Sequence, residues 1–334
     1  MKTSNHLLRR LTAALLAAVL ALSIALPVFA SDDGDTIYIN SVSDLLSLAK
    51  SCAYDQWSVG KTVILQKDLS LEGMLWEPIP SFSGQFKGNG HTISDLTITG
   101  QYSPAGLFGI VEEQGSIESL SVRGIVSVSD SADTTTGGIV GINHGTLINC
   151  QFTGVVTGDS EVGGIVGRNE SEGTIDHSTA RAIVTGKSST GGIAGYNLGA
   201  ITGCTNVGSI NTEYQEASLD TDGFTAKMVD YINNKMAAAD NDATNSVTNV
   251  ATDTGGIAGR SSGMILTSVN TGTIGYEHVG YNVGGIVGRT DGLVSGCVNQ
   301  GRVLGRKDVG GIAGQAEPYR ELDLSKDTIK RLRS

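Results

Sequence analysis

Six copies of one five-residue phrase dominate this sequence. Each copy, called here the Gly-Gly phrase, reads Gly-Gly-Ile, then Val or Ala, then Gly. The copies begin at Gly137, Gly163, Gly191, Gly255, Gly284 and Gly310, and Gly106–Gly109 is a variant copy. Most are 26 to 29 residues apart, and a fixed period of this size is typical of stacked supersecondary units. Because such a unit cannot bury its apolar face alone, we expect each to pack on the next.

Each repeat contains three short apolar runs separated by Gly and small polar residues, which indicates strands and turns. Strands of three to five residues in a period of ~27 suit one coil of a parallel β-helix, in which equivalent strands pair at ~4.8 Å. The sequence therefore predicts an all-β protein, a parallel β-helix of about seven coils, right-handed by the general preference for parallel crossovers. A β-propeller is the alternative, but one blade needs a period of ~40 residues or more.

Aligning the repeats predicts columns of stacked side chains in a narrow core with few rings, since aromatic content is 5%. The glycines suit corners with positive φ or places where backbones crowd. The predicted columns are Ile139, Ile165, Ile193, Ile257, Ile286 and Ile312; Leu147, Ile175, Ile201, Ile265 and Val294; and Val156, Val184, Ile210, Ile274 and Val303.

The chain divides into four predicted segments. Residues 1–30 have the charged start, apolar stretch and small residues before the cleavage point of a secretory signal peptide. Residues 31–80 form an N-terminal cap region with a helix over 41–53, and 81–316 form the β-helix. Within it, an insertion of about 213–253 carries apolar residues at helical spacing. Residues 317–334 form a helical tail, which we expect to begin a longer C-terminal region.

Charge and hydropathy limit the partners. The net charge is −11, and signal removal takes Lys2, Arg9 and Arg10 away, which makes the remainder more acidic. We therefore expect no nucleic-acid partner, because such binding rests on clustered Lys and Arg. No stretch after the signal is long and apolar enough to span a bilayer.

The four cysteines are predicted to be free thiols. Cys150, Cys204 and Cys297 share one column, in which Ser178 and Ser268 occupy the intervening coils. Two coils separate Cys150 from Cys204 by ~9–10 Å, whereas a disulfide needs Cα atoms within ~7 Å.

Length variation concentrates just before the Gly-Gly phrases. Stacking would align these inserted segments along one edge, and variable loops on one face of a repeat scaffold often bind ligands. The candidate ligand edge comprises Asp130, Asp133, Asp159, Glu161, Phe224, Met228, Tyr276 and His278.

Catalysis and metal binding have weaker support in the sequence. A polysaccharide lyase or hydrolase is the alternative function, with Asp159 and Glu161, and Asp130 and Asp133 one coil below, as the carboxylate cluster. Asp220 and Asp222 resemble part of a calcium loop, but Ser218 and Val229 occupy two positions that need acidic ligands. None of the five histidines has zinc-peptidase spacing, and we predict no catalytic residue, resident metal or cofactor.

The repeats resemble bacterial GLUG-motif proteins. The resemblance rests on the Gly-Gly phrases and on an opening segment, Trp76–Ile79 followed by Phe82–Ile93, and it covers roughly residues 37–315. Such modules occur in exported adhesin-like proteins and upstream of the catalytic region in immunoglobulin-A1 metallopeptidases. The resemblance implies a secreted or cell-surface adhesive module or rigid spacer without catalysis of its own. Its expected partner is a host or bacterial surface protein or a glycan.

Overall fold

The computed structural model describes residues 35–54, 56–128, 134–212, 251–277 and 279–317. The predicted signal peptide therefore lies outside the described residues. So do the insertion, apart from residues 251–253, and the tail, apart from Glu317.

The described chain is an all-β parallel solenoid of four sheets, called I to IV in the order in which a coil visits them. Sheet I precedes each Gly-Gly phrase and contains β10 (Thr136–Gly137), β14 (Ser160–Gly163), β18 (Ser188–Gly191), β22 (Thr252–Gly255), β26 (Tyr281–Gly284) and β30 (Lys307–Gly310). Sheet II follows the phrase and contains β4 (Ile79–Phe82), β7 (Phe108–Val111), β11 (Val140–Asn143), β15 (Val166–Asn169), β19 (Ala194–Asn197), β23 (Ala258–Ser261), β27 (Val287–Thr290) and β31 (Ala313–Ala316).

Sheets III and IV complete each coil. Sheet III contains β1 (Thr36–Ile39), β2 (Thr62–Leu65), β5 (Gln85–Lys87), β8 (Ser116–Glu118), β12 (Thr146–Ile148), β16 (Thr174–Asp176), β20 (Ala200–Thr202), β24 (Met264–Leu266) and β28 (Leu293–Ser295). Sheet IV contains β3 (Leu69–Ser70), β6 (Thr92–Gly100), β9 (Ser121–Val128), β13 (Gln151–Thr157), β17 (Thr179–Thr185), β21 (Thr205–Asn206), β25 (Val269–Asn270) and β29 (Val298–Asn299).

The parallel β-helix prediction is confirmed, with two differences in detail. A full coil has four strands rather than three, because the segments before the Gly-Gly phrases pair with one another as sheet I. The described residues make about eight coils rather than seven, since β2, β3 and β4 pair with β5, β6 and β7.

The predicted core columns are also confirmed. Leu147 pairs in register with Ile175, and Ile175 with Ile201, while Val156 pairs with Val184. The six-residue isoleucine column is fully buried from Ile139 to Ile286. Ile312, in the last described coil, is 42% exposed, so the column is covered only as far as the coil before it.

Bulky rings fill the first coils, contrary to the expected core of small aliphatic residues. Phe82, Phe86 and Phe108 pack edge-on or tilted with ring centroids 5.4–6.3 Å apart. Trp76 lies beside this region and donates its indole N–H to the Leu107 carbonyl at 3.1 Å. In the later coils that the structure describes, Phe152 is the one fully buried ring, and most of the other buried apolar residues are Ile, Val and Ala.

One helix, α1 (Val42–Ser51), is present among the described residues, within the range predicted for it. The side chain of Ser41 accepts a hydrogen bond from the Asp44 N–H and so caps the first turn. Leu45 and Leu48 are buried in the hydrophobic core. The proposed role of this helix as a cap over the first coil stays a prediction.

Crowding, not positive φ, explains the glycines of the Gly-Gly phrase. A Cβ on Gly195, the last residue of one phrase, would meet the backbone of Glu161 and Val162 in sheet I, so glycine lets the two sheets touch. A Cβ on Gly192 would lie 2.6 Å from Oδ1 of Asn206 in the interior. The left-handed corner between sheets III and IV is formed largely by other residues, including Ser119, Asn149, His177 and Thr267.

Candidate ligand-binding face

The described residues of the predicted ligand edge lie at sheet I and the turns beside it. Of its eight residues, Asp159, Glu161 and Tyr276 are described, and Asp130, Asp133, Phe224, Met228 and His278 lie outside the described residues, as do the calcium candidates Asp220 and Asp222. Asp159 and Glu161 lie close together at β14. Tyr276 lies near the other end of the sheet, in a small cleft with Ala251 and Val283.

The second residue of each full sheet I strand is left-handed, with φ between 46° and 55°. These residues form a polar column, since none of them is apolar: Glu161, Ser189, Asp253, Asn282 and Asp308. Within the column, the Asn282 amide donates to Oδ1 of Asp253 at 2.6 Å. Backbone pairing therefore fixes the position of these residues along the edge, whereas the side chain differs from coil to coil.

Asp159 and Glu161, the carboxylates that the alternative enzyme function would use, are both engaged by cations. Oδ1 of Asp159 lies 2.6 Å from Nζ of Lys187. Oε1 of Glu161 lies 2.7 Å from a guanidinium nitrogen of Arg168, and its other oxygen accepts from the Thr135 hydroxyl at 3.1 Å. A glycosidase needs one carboxyl group as an acid and another as a base or nucleophile. In this structure each of the two carboxylates is instead paired with its own cation.

A stripe of large polar side chains follows the Gly-Gly phrases along sheet II. Each member comes directly after the last glycine of a phrase, and neighbours pair in register along the axis. The stripe, called the sheet II stripe, contains Arg168, Tyr196, Arg260, Arg289 and Gln315. This position after the phrase was a sequence signal for the stripe, which the predictions missed.

Two arginines cover the ring of Tyr196. The guanidinium carbon of Arg168 lies 5.1 Å from the ring centroid and that of Arg260 lies 5.2 Å from it. Because β15 and β23 flank β19 in sheet II, the two cations approach from opposite sides. Such cation–π contacts favour the charged arginines.

The three arginines of the stripe differ in their carboxylate partners. Arg168 is bound by Glu161 and by Glu170, each at 2.7 Å; although burial opposes its charge, these two carboxylates raise its pKa. Arg289 forms a two-oxygen ion pair with Glu317 at 2.7 and 2.8 Å.

Arg260 has no carboxylate partner among the residues that the structure describes. Beside it, the Tyr196 hydroxyl and the Ser262 hydroxyl lie 3.3 Å apart. A guanidinium that no described carboxylate neutralises, next to two hydroxyl groups, is therefore the distinctive chemical feature of this face.

The cysteine column is present and its thiols are free. The Cys150 N–H donates to Oγ of Ser178 at 3.1 Å, and the Cys204 N–H donates to Oγ of Ser268 at 3.2 Å. Burial raises the pKa of both thiols to about 12. Because the thiolate is the nucleophile, these cysteines are structural rather than reactive.

Two ladders of buried asparagines also escaped sequence reasoning. Asn143 donates to Asn169 and Asn169 to Asn197 in the first ladder, at 2.7 and 2.9 Å. Asn206, Asn270 and Asn299 form the second ladder, with two side-chain hydrogen bonds of 2.8 Å. The recurrent spacing of Asn two residues before Gly, which every member except Asn169 shows, was the available signal.

Neither a metal centre nor a membrane span appears in the described part of the chain. In those ranges no three His, Cys, Asp or Glu side chains come together as metal ligands would. The described helix is too short to cross a bilayer.

Known proteins resemble this chain in two ways: one solved structure has a similar fold, and two proteins have a similar sequence over part of the chain. No family model matches the chain. A crystal structure of a proposed immunoglobulin A1 protease from Bacteroides ovatus is similar over 86% of this chain and 85% of that one, with a TM-score of 0.52 and 17% identity, a likeness of fold alone. Halomucin from Haloquadratum walsbyi is 32% identical over 155 residues, which are 42% of this chain and 2% of that protein. A proposed Gly-rich membrane protein from Evansella cellulosilytica is 30% identical over 137 residues, 30% of this chain and 16% of that one.

Proposed function

We propose that this chain is a non-catalytic binding module carried on a rigid extracellular scaffold of a bacterial surface protein. The observation that carries the proposal is the sheet II stripe. It presents a fixed row of polar and charged groups around one aromatic ring on a stack of coils, while the carboxylates of the alternative enzyme function are held in ion pairs. Ordered polar groups on a rigid element suit recognition, since little ordering entropy is lost on binding.

Other features support an extracellular location and a repeat of the GLUG type. Residues 1–30 have the sequence features predicted for a signal peptide, and the relatives include halomucin and a proposed Gly-rich membrane protein. The chain spans only a small part of those two relatives, which fits a module within a larger surface protein. The Gly-Gly phrases carry the GLUG assignment.

Display of the full chain on a non-adherent bacterium tests this function. We expect the displayed chain to retain cells on immobilised host or bacterial surface glycans or proteins under flow. The purified chain should release no reducing ends from acidic or neutral polysaccharides. Reducing-end release that survives repeated purification would support the enzyme alternative, and loss of retention on every surface would leave only the spacer role.

A further inference from the structure

Arg260 is the one arginine of the sheet II stripe whose charge no described carboxylate neutralises. On either side along the stripe, Arg168 is held by Glu161 and Glu170, and Arg289 is held by Glu317. Arg260 itself contacts the Tyr196 ring and is half-buried, so its guanidinium is positioned rather than free to rotate. A positioned, uncompensated guanidinium is a ready site for an anion.

We propose that Arg260, with the hydroxyls of Tyr196 and Ser262, binds the carboxylate of an acidic sugar on a glycan. This inference rests on the proposed binding function and names its ligand class. A planar guanidinium matches a carboxylate in a two-point hydrogen bond, and the hydroxyl pair, 3.3 Å apart, supplies further donors and acceptors for the sugar.

The surrounding charge favours one isolated carboxylate over a polyanion. Glu161, Glu170 and Glu317 flank the site along the stripe, and the net charge of the chain is −11. A ligand with closely spaced charges would bring its other anions against these carboxylates. A glycan with a single acidic sugar avoids that repulsion.

The geometry also favours a glycan over a peptide. Extended peptides commonly bind by adding a strand to a free sheet edge. Strand β23, which carries Arg260, is paired on both sides, with β19 and with β27. Its backbone hydrogen bonds are therefore used within sheet II, and only side chains remain to recognise a ligand.

Binding of sialyllactose to the full chain tests the proposal. Lactose lacks the acidic sugar, and the methyl ester of sialyllactose keeps every sugar but removes the negative charge. We expect both to bind at least about tenfold more weakly than sialyllactose, because a charge-assisted pair is lost. Saturation-transfer NMR at fixed salt measures the difference.

Three substitutions assign the effect to this site. Arg260→Gln should weaken sialyllactose binding at least about tenfold, while Arg260→Lys keeps the charge and should lose less. Tyr196→Phe keeps the ring under Arg260 and removes only the hydroxyl, so it should weaken binding a few-fold without changing the melting temperature. The matched control is Arg181→Gln, an exposed arginine on β17 of sheet IV, and it should bind as the parent does.

Four results would overturn the proposal. They are equal binding of the acid and its ester, unchanged binding by Arg260→Gln, equal binding of a blocked peptide with a single glutamate, and no binding of sialyllactose by the parent chain. If displayed cells adhere while sialyllactose does not bind, the carboxylate inference fails and the binding function stands.

Discussion

The side-chain amide of Asn143 donates to Oδ1 of Asn169 at 2.7 Å, although 26 residues separate the two in the chain. Asn169 in turn donates to Oδ1 of Asn197 at 2.9 Å, and all three side chains are fully buried. Buried amides in a ladder satisfy one another, so removing Asn169 takes away the acceptor of one Asn143 N–H and the donor to Oδ1 of Asn197.

Asn169→Ala should therefore lower the free energy of unfolding by about 1–3 kcal/mol, the cost of leaving a buried polar group unsatisfied. Urea denaturation followed by circular dichroism measures the change. Thr202→Ala, which removes a half-buried hydroxyl of β20, is the control and should be nearly neutral. Equal midpoints for the two variants would show that the ladder adds nothing to stability.

The cysteine column predicts a contrast between two substitutions at one position. Cys204→Ser should be tolerated, because Ser178 and Ser268 occupy the equivalent positions and the latter already accepts a neighbouring N–H. Cys204→Leu should cost about 1–3 kcal/mol through overpacking of a fully buried site. Thermal melting of both variants beside the parent makes the comparison, and a serine variant as damaged as leucine would contradict the column.

Burial also predicts how the thiols react. Cys297 is only partly buried, whereas Cys150 and Cys204 are buried and their pKa values are raised to about 12. In the native protein iodoacetamide should modify Cys297 first, and in denaturant all four cysteines should react. Peptide mass spectrometry reads the order, and Cys150 labelled as fast as Cys297 would refute it.

The same thiols should make the fold less stable in alkali. Their pKa is about 12 when folded against an ordinary value of 9.0, so they stay protonated in both states below pH 9. Above pH 9 the unfolded chain ionises first, and stability should fall progressively as the pH approaches 12. Replacing both cysteines with serine should flatten this part of the stability profile.

Gly192 and Gly311 are the second glycines of two phrases and offer a matched pair. A Cβ at Gly192 would lie 2.6 Å from Oδ1 of Asn206, whereas a Cβ at Gly311 meets nothing within 4 Å. Gly192→Ala should therefore destabilise the protein by about 1–3 kcal/mol, while Gly311→Ala should be near neutral. If both alanines are equally tolerated, crowding does not explain this position of the phrase.

The coils on either side of the insertion pair directly, with Ser188 opposite Thr252 and Ile210 opposite Ile274. Replacing residues 213–250 with a short Gly-Ser linker should thus keep the β-rich circular dichroism and the melting temperature of the parent. Adhesion of displayed cells is measured on the same variant. Reduced adhesion supports the predicted role of the insertion in binding, and adhesion equal to the parent's would end it.

The sequence predicts the core columns well because one isoleucine per coil repeats at the same place, as Ile165 and Ile193 do. It does not predict sheet I, because strands such as Ser188–Gly191 carry no apolar pattern. Their pairing depends on register with the next coil, and the glycines of sheet II let them approach. The repeat period alone therefore predicts that the coils stack, but it does not predict how many sheets each coil contributes to.

The candidate site was harder to predict for a related reason. Asp159 and Glu161 are indeed together at the expected edge, but their ion pairs with Lys187 and Arg168 depend on residues in other strands or coils. The contact of Arg260 with Tyr196 joins residues 64 positions apart across the insertion. The two residues meet because they pair in register in sheet II. The insertion between them hides this pairing in the sequence.

The continuous register of the sheets has a mechanical consequence. The inter-strand hydrogen bonds run along the solenoid axis, from coil to coil, and every coil is held mainly by its two neighbours. Tension applied at the end of such a stack loads the outermost coil first and peels it away before the next. Each coil of ~27 residues then releases about 90 Å of extended chain. A protein of this design therefore unfolds under tension in a series of small steps, and each step resists the applied force.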